Sequence, residues 1–288
     1  MKSTIFNIKL KIIFNIINIV LIPIKYFLIL SYFFFKKKHS QGYEYFKWFK
    51  IIQILKSNDK KLQIDRIYNL DERVIEYKWI FNELKKSKNN LNLLDAGSTL
   101  NFPQIIDKIK IKFKITIQTL FPENYSFYDD GISYVYSDLT EKNFNKNTFD
   151  IITCISTLEH VGFDNSIYNN DSKKILKKNN NQDYLNVIDS FRFYLKKRGI
   201  LLITVPYGTH KEFNNLQVFD DKRIKNIITK FKPKKFYLRY ATCTNESWQE
   251  CSSKQCIDNE KKIKNNYLKK NNFDLKSAHS VALIKLVK

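Results

Sequence analysis

The run Leu93-Leu94-Asp95-Ala96-Gly97-Ser98 decides how this chain is read. An apolar strand ends in an acid, a small residue and a glycine, and then the chain turns. A parallel α/β sheet presents backbone N–H groups to a small ligand in this way, at the carboxyl end of a strand. Downstream of this run, short β-rich segments alternate with helical ones, and no internal repeat is evident.

The spacing predicts strands at 92–95, 114–119, 132–136, 149–155, 200–205, 235–240 and 280–287. Between them it predicts helices over 102–109, 183–195 and 220–231, where apolar residues recur at helical intervals, as in Tyr184, Val187, Ile188, Phe191 and Leu195. Such alternation argues an α/β, doubly wound, mostly parallel, Rossmann-like seven-stranded sheet. An N-terminal helical extension precedes it. Three sections are expected: 1–40, an apolar segment; 41–90, a helical lead-in capping the sheet; and 91–288, the α/β domain. In the lead-in, Tyr45, Trp48, Phe49, Ile52 and Leu55 share helical spacing, as do Val74, Ile75, Tyr77, Ile80, Phe81 and Leu84. Both sets are expected to pack in the core. The Lys/Asn-rich stretch 173–182 reads as a loop.

Residues Ile5–Phe35 are strongly apolar, with Lys9 and Lys11 near one end and Lys36, Lys37 and Lys38 at the other. A spanning helix needs roughly 20 apolar residues, and Ile12–Phe35 is long enough. Three readings stay open: a transmembrane anchor, a helix lying in the bilayer interface with Lys25 snorkelling, and a soluble helix packed on the domain. Membrane association through Ile5–Phe35 is the expectation, with the chain cytoplasmic and attached to the inner face of the cytoplasmic membrane. No small-residue cleavage site follows the apolar run, which argues against a cleaved signal peptide. The formal net charge is +22. Lys, Asn, Ile, Phe and Tyr abound together while Gly, Pro and Met are scarce, a bias shared by A/T-rich codons, so the lysine excess reads as a solvated face. Nucleic acid is not the expected partner. Cys154, Cys243, Cys251 and Cys256 include no Cys-x-x-Cys, and no metal is expected.

Four segments carry a resemblance: Leu93–Ser98; Ser137-Asp138-Leu139; Phe149-Asp150-Ile151-Ile152; and Leu195–Ile200 running on to Pro206. In that order and spacing the chain from Leu91 to the C-terminus resembles the class I S-adenosylmethionine-dependent methyltransferases. The resemblance implies S-adenosylmethionine as cofactor. It implies Asp95 toward the cofactor's amino end and Gly97 and Ser98 at the close backbone approach. It implies Asp138 accepting from the adenine amino group beside the apolar Leu139, and Ser156 near the reactive methyl. Asp is also a common turn and cap residue, so Asp95 and Asp138 each carry that reading too. The chain departs from the family in two places. No second glycine follows Gly97, and the second strand ends Gln118-Thr119-Leu120 where an acid usually holds the ribose, leaving Glu123 as a loose match.

The run Leu158-Glu159-His160 and the later Val205-Pro206-Tyr207-Gly208 with His210 resemble members found with bacterial surface-polysaccharide biosynthesis. The implied reaction is O-methylation of a sugar, nucleotide-sugar or lipid-linked glycan. His160 is the candidate base, since an imidazole titrates near working pH. Glu159 and Tyr207 are the other candidate catalytic residues. Glu159 and His160 can instead hold a metal or simply orient the loop, and Tyr207 can pack on the Pro206 turn. Trp248 with the 245–247 loop either closes a pocket or is ordinary surface. The competing expectation is a non-catalytic, membrane-tethered interaction protein on a degenerate methyltransferase fold.

Overall fold

The computed structural model describes residues 22–35, 40–165, 180–244, 246–268 and 278–288. The expectations on residues 5–21, and on most of the 173–182 loop, lie outside the described residues.

Helix α1 (Ile22–Phe35) and helix α2 (Gln41–Lys56) open the described chain, followed by strand β1 (Gln63–Asp65) and helix α3 (Arg73–Lys85). The α/β part then runs β2 (Leu91–Ala96), α4 (Pro103–Ile109), β3 (Phe113–Thr119), β4 (Ser133–Tyr136), β5 (Phe149–Ile155), α5 (Tyr184–Tyr194) and β6 (Leu195–Pro206). A small hairpin, β7 (Lys211–Glu212) and β8 (Gln217–Val218), precedes α6 (Asp221–Phe231), β9 (Lys235–Cys243), β10 (Ser247–Cys251), α7 (Ser253–Leu268) and β11 (Ser280–Val287).

Among the described residues the main sheet has nine strands in the order β1-β10-β9-β11-β6-β5-β2-β3-β4. This corrects the seven-stranded expectation. The two added strands extend one edge, where β1 pairs antiparallel with β10, and β10 with β9. Gln63-Ile64-Asp65 is too short to show alternation, and Ser247–Cys251 reads as a loop until Trp248 is seen fully buried. From β4 to β6 neighbouring strands are parallel, whereas β11 inserts antiparallel between β6 and β9.

Alternation along each strand sends successive side chains to opposite faces. Leu93, Ile151, Leu202 and Leu283 enter one core with Val74, Ile75 and Ile80 of α3. Leu94, Ile152, Ile203 and Ile284 enter the other with Val187, Ile188 and Phe191 of α5 and Ile224 and Ile227 of α6. Helix starts follow local chemistry. Asp220 caps α6 by accepting from the Arg223 N–H at 2.9 Å, and Pro103 opens α4, where its missing N–H costs nothing. Helix α5 stops at Tyr194, within one residue of the expected end at 195; Arg198 takes a left-handed φ of 66° where β6 shifts register against β5.

Helix α2 turns differently from its predicted face. Tyr43, Phe46, Ile51 and Leu55 are buried, while Tyr45 and Phe49 are exposed. Helix α1 packs on α2 through Tyr32, whose ring meets Tyr43 edge-on at 5.5 Å and whose hydroxyl donates to the Tyr68 carbonyl. A Cβ on Gly42 would overlap the Leu28 carbonyl, so the two helices touch backbone to backbone there. Among the described residues, no helix is long and apolar enough to cross a membrane.

Candidate functional site

The chain leaves β2 toward β3 and β4 on one side of the sheet, then returns to β5 and β6 on the other. The order therefore reverses between β2 and β5, and the crevice outside the carboxyl ends of strands at such a point is where ligands bind in open α/β sheets. A cavity of about 480 Å³ lies there, lined by Gly97 and Ser98 after β2, Gln118 and Glu123 after β3, Asp138 and Leu139 after β4, and Ser156 and His160 after β5.

Main-chain bonds tie these strand ends together. The Gly97 N–H donates to the Gln118 carbonyl at 2.8 Å, and the Ser137 N–H to the Thr119 carbonyl at 2.9 Å. Gly97 has φ +103°, and a Cβ added to it would overlap the Thr157 side chain. The glycine thus admits Thr157 as well as exposing main chain to the cavity. Ser98, at φ 54°, donates to the Glu123 carboxylate, which also accepts from Asn101 Nδ2 at 3.2 Å. Asn101 is buried and accepts in turn from the Tyr134 hydroxyl at 2.9 Å, so the loose Glu123 of the sequence is held at the cavity by a buried amide.

Gln118 Nε2 donates to Ser137 Oγ at 3.0 Å and to the Asp138 carbonyl at 3.2 Å, which fixes the β4 exit. Its Oε1 is buried with no hydrogen-bond partner among the described residues. A buried amide oxygen left without a donor is costly, and its position in the cavity wall marks it for a ligand or water. Asp138 Oδ1 accepts from the Thr140 N–H at 2.8 Å and its hydroxyl at 2.7 Å, an Asx turn that leaves Oδ2 for a donor in the cavity.

Three of the expected residues stand elsewhere. Asp95 is fully buried, and its carboxylate accepts from the Leu100 N–H at 2.7 Å and from Thr153 Oγ1 at 3.0 Å. It shapes the β2–α4 turn and is not part of the cavity wall, which corrects its placement beside a ligand amine. Burial pushes its carboxyl up to about 7. Glu159 is buried behind the cavity with Oε2 unpartnered, and burial raises its carboxyl well above the ordinary range. An acid buried outside the cavity lining is poorly placed to serve as a metal ligand or base. Among the described residues no group of three or more His, Cys, Asp or Glu is placed to hold a metal ion. Tyr207 is buried outside the cavity. Its hydroxyl donates to Asp221 Oδ1 and its ring packs on Tyr240 at 4.5 Å, so it anchors the start of α6. Trp248 lies in the core, its Nε1 donating to the Leu70 carbonyl at 3.1 Å, and closes no pocket.

His160 lines the cavity and its Nδ1 lies 2.6 Å from the Asn215 carbonyl. A carbonyl only accepts, so Nδ1 carries the proton and Nε2 is the basic nitrogen of the neutral ring. Burial, with some help from the Arg73 charge, lowers the imidazole below its ordinary value and keeps it neutral at pH 7.

The sequence reading missed the lead-in's contribution. Arg73 and Lys47 both line the cavity. Arg73 Nη1 donates to Glu76 Oε2 at 3.0 Å; Glu76, fully buried, also accepts from Ser156 Oγ at 2.6 Å and Thr204 Oγ1 at 2.5 Å. Burial would weaken the guanidinium's hold on its proton, but Glu76, Tyr77, Glu72 and Asp71 around it more than offset this. Lys47 bridges Glu44 at 2.9 Å and Asp71 at 3.1 Å. The signal was the mixed-charge cluster Asp71-Glu72-Arg73-x-x-Glu76, placed at the start of a helix that is otherwise buried nearly all round.

No protein-family model and no curated protein matches this chain. Solved structures of similar shape include a SAM-dependent methyltransferase from Archaeoglobus fulgidus, at TM-score 0.48 and 12% identity over 77% of this chain and 96% of that one. A putative sarcosine dimethylglycine methyltransferase from Galdieria sulphuraria gives TM-score 0.46 and 13% identity, over 84% and 98% of the two chains. The Burkholderia thailandensis 1,6-didemethyltoxoflavin-N1-methyltransferase gives 0.41 and 10%, over 69% and 72%. Likeness at this level carries no argument about activity; the reading of the site rests on the strand order and the cavity.

Proposed function

We propose that this chain is an S-adenosylmethionine-dependent methyltransferase that methylates a hydroxyl of a sugar, nucleotide-sugar or lipid-linked glycan at the inner face of the cytoplasmic membrane. One observation carries the reading: the switch-point cavity joins a buried, unpartnered acceptor, Gln118 Oε1, to the acid–apolar pair Asp138 and Leu139 on the wall beside it. The groups present suit such a cofactor. Asp138 Oδ2 and Leu139 offer an acceptor and an apolar face to a purine amine, Gln118 and Glu123 offer acceptors to ribose hydroxyls, and Arg73 offers a cation to a carboxylate. When bound, the cofactor supplies a methyl group already activated by a sulfonium.

The chain's own tasks are then alignment, exclusion of water and removal of one proton. Ser98 and Glu123, the latter held by the buried Asn101, form one part of the rim; Ser156, locked by Glu76, forms another. His160, neutral and with Nδ1 spent on the Asn215 carbonyl, takes the acceptor hydroxyl proton at Nε2. Transfer from methyl-tritiated S-adenosylmethionine to nucleotide-sugars and polyprenyl-phosphate-linked sugars is the test. We expect His160→Gln to lower kcat by roughly 10²–10⁴ with cofactor affinity unchanged, and the wild-type acid limb to fall below the ordinary imidazole pKa. An unchanged kcat in His160→Gln removes the base from the proposal.

The non-catalytic alternative draws on a specific observation. Asp95 and Tyr207 are committed to structural contacts and Glu159 is buried outside the cavity lining, which leaves fewer groups for chemistry. It is separated from the first reading by methyl transfer itself.

A further inference from the structure

Helix α1 is apolar apart from Lys25 and Ser31 but buries only one side. Tyr32 is buried against α2, while Phe27 is 70% exposed, Phe34 83% and Phe35 81%, with Tyr26 and Leu30 also more than half exposed. At 100° per residue, Tyr26, Phe27, Leu30 and Phe34 fall on a single outward stripe. A contiguous exposed apolar face of this kind needs a cover. On α2, Tyr45 and Phe49 are exposed as well. From α2 an aromatic track reaches the cavity rim: Trp48 lies 4.8 Å from Phe102, and Phe102 6.0 Å from Tyr125. Phe102, Phe121 and Pro122 line the cavity itself.

We infer that α1 docks in the plane of an anionic lipid bilayer, with Phe27, Leu30 and Phe34 in the acyl boundary, and that this holds the cavity mouth at the membrane surface. Charge complementarity selects the occupant. Lys36, Lys37 and Lys38 follow Phe35 directly, Lys9 and Lys11 flank the preceding apolar run, and the whole chain is +22. Basic residues beside an apolar interfacial helix fit anionic headgroups. A second copy seated on the same face brings its own lysines against these. The outward stripe runs along one side of α1 while Tyr32 on the other side packs against α2, which suits an in-plane orientation. Resting on the methyltransferase reading, the aromatic track assigns the acceptor to molecules carried on a lipid, because a water-soluble sugar needs no apolar approach to the site.

The test is flotation of the full chain with vesicles of phosphatidylcholine alone and of phosphatidylcholine with phosphatidylglycerol. The variant is Phe27→Asp/Phe34→Asp, at two exposed positions, with its fold checked by urea unfolding. We expect wild-type binding to the anionic vesicles, at least roughly tenfold weaker binding to neutral ones, and at least a tenfold loss in the variant. Equal flotation of wild type and variant overturns the proposal. So does a wild-type dimer that the variant dissociates, which hands the face to a second copy. A soluble wild-type monomer without vesicle affinity overturns it too, and means the chain covers its own face. S-adenosylmethionine calorimetry on the same samples separates the two readings: vesicle binding without cofactor binding keeps the anchor and removes the acceptor.

Discussion

Replacing Glu76 by leucine is expected to lower the unfolding free energy by about 3–5 kcal/mol, the cost of removing one partner from a buried ion pair. Glu76 is fully buried and accepts from Arg73, Ser156 and Thr204 together. Its loss leaves a guanidinium and two hydroxyls without their acceptor at the junction of α3, β5 and β6. Leucine fills much of the volume, so a cavity contributes little, and the unpaired polar groups dominate. Glu76→Gln keeps one acceptor oxygen and is expected to cost less, about 1–2 kcal/mol. Urea unfolding of the three proteins checks this. A loss below about 1 kcal/mol for Glu76→Leu contradicts the description of this cluster as the joint between lead-in and sheet.

The second large effect is in the pH dependence. Burial raises the Asp95 carboxyl from 3.8 to about 7, so the folded chain holds a proton there that the unfolded chain releases at a lower pH. Stability from this proton is fully present below the unfolded value, and is lost as pH rises through the folded value. The stability of wild type relative to Asp95→Asn is therefore expected to fall between about pH 4 and pH 7, by an amount on the order of a few kcal/mol, and to be flat above. The variant lacks one acceptor at every pH, since only one of its amide atoms can serve Leu100 N–H or Thr153 Oγ1. That offset is constant and does not mimic the slope. Urea midpoints of both proteins at pH 5 and pH 8 decide it: a difference that does not change with pH means Asp95 is ionised in the folded chain and its burial is compensated by charge.

The fold was legible because buried strands read as short apolar runs, and three stretches of clear helical spacing fall between the seven expected ones. The two strands at the added edge were not. Gln63–Asp65 is too short for a pattern, and Ser247–Cys251 shows one large apolar residue among polar ones. Gly97, Ser98, Glu123, Asp138, Leu139, Ser156 and His160 line one cavity because the positions just after parallel strands converge on one crevice. Asp95 went astray because it is still within β2, where it pairs with Ile117 and Thr153 and its side chain meets neighbours in the sheet. Glu159 and Tyr207 went astray because direction, not sequence position, separates a loop residue facing the cavity from one behind it. Arg73 and Lys47 come from elements far upstream of the crevice, and only packing brings them there. Gln118 showed the reverse. Read as a missing acid, it is the residue that ties the third parallel strand's exit to the cavity and leaves an acceptor in its wall.

The most direct test is titration calorimetry of the full chain with S-adenosylmethionine and with its demethylated product, in wild type and in Asp138→Ala. Binding at micromolar concentration is expected in wild type. A loss of about tenfold or more is expected in Asp138→Ala, as one charge-assisted hydrogen bond accounts for about 1.5–3 kcal/mol. The urea midpoint of the variant is expected within about 0.5 kcal/mol of wild type once the loss of its Asx turn is counted. A folded wild-type chain that binds neither compound at millimolar concentration contradicts the account and leaves the switch-point cavity to another ligand.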